Sequence, residues 1–217
     1  MFQSVLRCLR ARQTAELENG ETAEAGFTLI ELMVVLLIIA ILLAIAIPTF
    51  LGVTGSANDR SAQSNLTNGL TEASAIFQGN SQSFTGILAA VTASAPEFAW
   101  QAAGGAVTAG SNQIGINAVD VAASGDAQGV VLVDLSKNNS TCWWAVQLNT
   151  TPAPAGIAST GFNTTGSGTG FQTSATTAGT YYAKKANATA AQCIATYPES
   201  KAGGFSWGTS YSNAPSN

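Results

Sequence analysis

Few side chains in this sequence can carry chemistry. Among 217 residues there is no histidine, there are 3 cysteines, and only 9% of positions are charged, so the commonest general base is missing. Asp120, Asp126 and Asp134 are the carboxylates that could pair for acid/base work or hold calcium. They follow no recognised calcium-loop spacing and are read as solvated turn carboxylates. Lys184 and Lys185, beside Tyr181 and Tyr182, form a small basic cluster, read as solvated lysines on an edge strand. With 8 basic against 12 acidic groups, a net charge of -4, nothing favours nucleic acid or anionic lipid as a partner. No cofactor or metal set can be assembled, and no enzyme is expected.

The residue that stands out is Glu31, because of where it lies. From Phe27 to Ile47 the sequence reads FTLIELMVVLLIIAILLAIAI, and apart from Thr28 and Glu31 every side chain is apolar. As a helix rising about 1.5 Å per residue, this run would span roughly 30 Å, the thickness of a bilayer core. A carboxylate in such a run needs a partner. Thr28-Leu29-Ile30-Glu31 fits the capping box S/T-x-x-E, which is one such partner. A cation supplied from elsewhere is another. Arg7, Arg10 and Arg12 precede the run and only Arg60 soon follows it, which places the N-terminus in the cytoplasm and the remainder outside. A cleaved secretory signal with Ala44-Ile45-Ala46 as its site is the competing reading; the acidic stretch Glu16, Glu18, Glu21 and Glu24 before the run opposes it.

The stretch AGFTLIELMVVLLIIAILLAIAIP, Ala25 to Pro48, resembles the class III leader junction and N-terminal helix of type IV pilins and pseudopilins. The resemblance covers about 24 residues closely and the rest only in layout. It implies cleavage by a prepilin peptidase between Gly26 and Phe27, N-methylation of Phe27, pairing of Glu31 with the free amine of a neighbouring subunit, and a helix kink at Pro48. The physics agrees with the implied pair: cleavage creates an α-amine with a pKa near 8, the cation that a buried carboxylate requires.

Four segments follow: a leader over 1–26, a transmembrane and filament-core helix over 27–50, an amphipathic helix over 51–79, and a β-rich head over 80–217. Pro48, Gly52 and Gly55 predict a kink or local melting. Leu66, Leu70, Ala73 and Phe77 then form an apolar stripe, with Asn65, Asn68 and Glu72 elsewhere on the wheel, and Gly79-Asn80 supplies a stop. Strands are expected over 114–121, 130–135, 142–148 and 180–184, with a shorter one over 98–101, and Trp144, Val146 and Leu148 on one face of the third. The expected fold class is α+β: a long N-terminal helix packed on a small antiparallel sheet.

Asn149 to Gly179 carries no charge and reads as a long surface loop. Export would leave Cys8 as a cytosolic thiol and Cys142 and Cys193 as either a disulfide pair or two buried free thiols. The resemblance favours the disulfide, since it matches the disulfide-bounded region of pilin heads. The sequons at Asn65, Asn138, Asn139, Asn163 and Asn187 are no more than chance supplies in a chain rich in Thr and Asn.

The resulting expectation is a pilin, the structural subunit of a type IV pilus. Its precursor would cross the inner membrane once with a cytoplasmic leader, and its partners would be the membrane, the peptidase, the assembly machinery and further copies of itself in a helical extracellular filament. The alternatives are a pseudopilin of a type II secretion system and a single-span binding protein that does not polymerise.

Overall fold

The computed structural model describes residues 26–109, 112–121, 126–137, 140–151, 177–196 and 206–217. The leader with Cys8, the sequons at Asn138, Asn139 and Asn163, and most of the expected 149–179 loop lie outside the described residues. The chain divides into two units, Met1–Phe50 and Leu51–Asn217.

Helix α1 runs Leu29–Gly79. It ends where glycine and asparagine were expected to stop it: the Asn80 side-chain amide donates to Ser83 O and Thr85 O at 2.9 and 3.0 Å, and Ser81 and Gln82 adopt positive φ. Local melting after Pro48 does not occur. The helix continues through Pro48, Gly52 and Gly55. Proline deletes one backbone hydrogen bond and crowds the carbonyl four residues back, while hydroxyls from Thr49, Thr54 and Ser56 donate to the carbonyls of Ile45, Leu51 and Gly52.

The unit from Leu51 holds a five-stranded sheet in the order β1-β2-β3-β4-β5. Its strands are β1 Ala99–Gln101, β2 Gln113–Val119, β3 Gly129–Leu135, β4 Cys142–Leu148 and β5 Gly179–Lys185. Pairing from β2 to β5 is antiparallel, but β1 runs parallel to β2, so the sheet is mixed. The connection from 102 to 112 is close to the dozen residues that a parallel return requires. A short helix not expected from the sequence, α2 Ile87–Ser94, precedes β1 and buries Ile87 and Val91.

Both faces of the sheet are covered, which explains why β3, GVVLVDL, is buried at every position and does not alternate. On one face the α1 stripe Ala62, Leu66, Leu70 and Ala73 packs with Ile114, Ile116, Val130, Leu132, Trp143 and Ala145. Phe77, the last member of the expected stripe, packs at the margin of this cluster. On the other face Trp144, Val146 and Leu148 lie in one cluster with Val131, Val133, Cys193, Ala195 and Trp207.

The helix approaches the sheet through Gly69, where a Cβ would stand 2.6 Å from Leu132 Cδ2 and 3.3 Å from Ile114 Cδ1. Leaving glycine in a helix costs about 1 kcal/mol against alanine; inserting branched carbons into a packed interface costs about 1 to 3 kcal/mol. Crowding therefore wins for a larger residue. Gly69→Val is expected to lower the midpoint of thermal unfolding of the detergent-solubilised chain, read by near-ultraviolet circular dichroism, and an unchanged midpoint would refute this close approach.

Candidate processing and assembly site

Around the expected junction, Gly26 and Phe27 precede the helix and both are exposed, with Phe27 at 90%. Thr28 caps α1 together with Glu31. The Thr28 N–H and hydroxyl both donate to Glu31 Oε2, at 2.8 and 2.7 Å, while the Glu31 N–H is 3.3 Å from Thr28 Oγ1. The capping box is thus formed within one chain. It does not use up the carboxylate, which is exposed and retains acceptor capacity on its second oxygen.

From Leu32 to Val53 the helix exposes large apolar side chains in every direction. All the exposed large hydrophobic residues among the described residues lie between Phe27 and Val53. Among the described residues α1 is the one helix long and apolar enough to cross a membrane. A helix hydrophobic all round is stable only when buried in lipid or among other apolar helices.

Residues 22–47 match the family model described as the prokaryotic N-terminal methylation motif. The matched segment contains Gly26, Phe27 and Glu31, and is consistent with the class III leader of a type IV pilin-like protein. No curated protein and no solved structure matches the chain. The motif supports a type IV pilin-like or pseudopilin protein, a structural class and not a catalytic one, and implies processing by prepilin peptidase. With the apolar helix it marks a membrane-anchored precursor.

In the head, the other residues singled out by sequence do not converge. Among the described residues no group of three or more His, Cys, Asp or Glu side chains is placed to hold a metal. Asp126 is exposed and Asp120 half-buried. Asp134 is no solvated turn residue: it lies within β3, 2% exposed, on the helix-facing side. Asn65 of α1 turns inward to meet it, its side-chain amide donating to Asp134 Oδ2 at 2.9 Å.

The lysine pair also differs from expectation. The outer side of β5 is covered by the chain between Ser206 and Asn217: Tyr182 exchanges backbone hydrogen bonds with Gly208, and Lys184 pairs with Pro215 and Asn217. Lys184 Nζ lies 5.5 Å from the centre of the Trp143 ring, and Lys185 Nζ donates to Asn217 O. The Ser206–Asn217 segment, not the lysines, thus closes this edge against further strand pairing.

Cys142 and Cys193 form a disulfide with Cα atoms 5.6 Å apart. Both are fully buried in the cluster remote from α1. The bond ties the end of the β3–β4 hairpin to the segment after β5, which covers that face.

Burial pushes the Asp134 carboxyl up to about 6, outweighing the hydrogen bonds from Asn65 and the Leu135 N–H that favour its charged form. The unfolded chain, with a value near 3.8, releases this proton at lower pH than the folded one. Folding is therefore favoured most below the unfolded value, and stability is lost as pH rises through the folded one. The predicted loss between about pH 4 and pH 7 is on the order of 2 to 3 kcal/mol. In metal-free buffer, Asp134→Asn should remove this component of the pH dependence of urea unfolding; equal slopes in wild type and variant would contradict it.

Proposed function

We propose that this chain is the structural subunit of a type IV pilus. Its precursor sits in the inner membrane through α1, is cut between Gly26 and Phe27, is methylated on Phe27, and assembles with other copies into an extracellular filament. The observation that carries this reading is the methylation motif leading directly into a helix exposed and apolar on all sides. Before assembly lipid covers those side chains; in the filament the same helices of neighbouring copies cover them. The remaining chain folds as a separate unit with its own core, as a subunit displayed outside the membrane requires. Its role is structural and not catalytic.

Glu31 has two tasks in this proposal. Within its own chain it caps the helix through Thr28. Between chains its charge meets the amine that cleavage creates on Phe27 of a neighbour. A carboxylate transferred among apolar helices without a cation is penalised, so the pair sets axial register even where its net stabilisation is small. Pro48 would adjust the course of α1 along the filament by its missing N–H.

Three outcomes test the proposal. Mass spectrometry of the mature protein is expected to find methylated Phe27 at the N-terminus, whereas Ile47 there would restore a secretory signal. Electron microscopy of sheared surface material should show this chain in long free fibres. A short envelope-bound assembly would instead indicate a pseudopilin, and a protein that never polymerises would indicate an anchored binding module. Finally, Glu31→Gln preserves an acceptor able to cap Thr28 but removes the charge. The variant should be inserted and cleaved normally yet give few or no fibres; wild-type fibre yield would eliminate the proposed charge pair.

A further inference from the structure

Between α1 and the end of β3 lies a polar pocket of about 90 Å³, several times the volume one water needs. Asp134 and Ser136 line it, and both are almost wholly buried, at 2% and 1% exposure. The two residues are separated by one position at the end of β3, a spacing that places their side chains toward the same face. Asn58 and Asn65 line it from α1 and Asn112 from the segment preceding β2.

Two features distinguish this pocket from an ordinary gap. Ser136 Oγ is buried with no hydrogen-bond partner among the described residues, although buried hydroxyls are as a rule satisfied. Asp134 is held by the Asn65 amide through Oδ2, so the carboxylate is oriented, and it lines the same pocket as Ser136; the two side chains supply hard oxygen donors.

The donor set decides the class of ligand. It offers a carboxylate, a hydroxyl and amide oxygens, with no thiolate or imidazole, which disfavours zinc and copper. Calcium accepts six to eight mixed oxygen ligands, including water, at irregular geometry, whereas magnesium demands near-ideal octahedral coordination. We propose that this pocket is a calcium site in which Asp134 and Ser136 are ligands, the amide oxygens of Asn58 and Asn112 together with water complete the shell, and Asn65 positions the Asp134 carboxylate. One carboxylate gives weak binding, in the range of about 10⁻⁴ to 10⁻³ M found for extracellular modules. Lys137 also lines the pocket, but it is exposed, and its long stem lets the ammonium move out to water when the ion enters. Bound calcium would clamp α1 to the end of β3.

Trp143, the cross-strand partner of Asp134, provides the readout. Terbium, which takes calcium's ligands, is titrated into the full detergent-solubilised chain, with emission excited through tryptophan and then competed by calcium. Saturable emission displaced by millimolar calcium is expected. Asp134→Asn should weaken binding by at least about tenfold and Ser136→Ala by a few-fold. Asp59, whose Oδ1 lies 3.3 Å from Trp143 Nε1, is a competing carboxylate, so Asp59→Asn is expected to leave the titration unchanged. At one fixed millimolar concentration, calcium should also raise the unfolding midpoint of the wild type more than that of Ser136→Ala, whose fold is checked by near-ultraviolet circular dichroism. Unsaturable emission, loss of the signal with Asp59→Asn alone, or equal titrations in wild type and Ser136→Ala would each overturn the assignment and leave a water-filled pocket. The test reads the head and not polymerisation, so failure of the pilus reading would leave it intact.

Discussion

The exposed apolar surface of α1 is the constraint to which everything else in this protein answers. Between Phe27 and Val53 large hydrophobic side chains face every direction, and burying each one is worth about 1.5 to 3 kcal/mol. Summed over the segment, the drive to leave water is on the order of tens of kcal/mol, more than the net stability of an ordinary domain. No isolated chain in water can satisfy it. Lipid can, and so can other copies of the same helix, which is why passage from one to the other is physically available to this molecule. The same apolar surroundings give Glu31 its importance, since the only ionisable group in the run must find a partner wherever the helix goes. Within the chain that partner is Thr28.

The head solves a different problem with few charges. Its sheet is buried on both faces, by the second half of α1 on one side and by irregular chain tied down through Cys142–Cys193 on the other. Burying a sheet twice demands unusually continuous apolar strands, and β3 and β4 have them. It also leaves edges as the remaining liability. The chain from Ser206 to Asn217 lies along β5, and β1, at the other side, is only three residues long, so neither edge presents a long template for strand addition.

The end of β3 is where the two demands meet inside the head. Asp134 occupies a helix-facing position that packing would fill with an apolar side chain, and its burial raises the carboxyl to about 6. Such a residue is retained at a cost in stability near neutral pH. The Ser136 hydroxyl, which has no partner among the described residues, adds to that cost. A ligand that satisfied both groups would offset it.

Patterns confined to neighbouring residues were legible in the sequence. The apolar run, the capping box, the stop at Gly79-Asn80, the four main strands and the stripe of Leu66, Leu70 and Ala73 are all fixed by local periodicity or by the conformational limits of single residues. The methylation motif over residues 22–47 is equally local, and for that reason a short match finds it. Tertiary structure decided whatever depended on residues far apart in sequence. The parallel β1 is set by how an irregular connection returns, and the shielding of Lys184 and Lys185 by chain that arrives more than twenty residues later. Asn65 and Asp134 are 69 residues apart, and no spacing rule links them; taken alone, an aspartate near a turn signal reads as solvated. Helix continuation through Pro48 is local too, but it is a balance and not a rule: proline's penalty of about 3 kcal/mol competes with the hydrogen bonding of the turns on either side. Local chemistry thus determined the elements and the methylation motif, while burial, which is a property of the assembled fold, determined which polar groups were left facing one another.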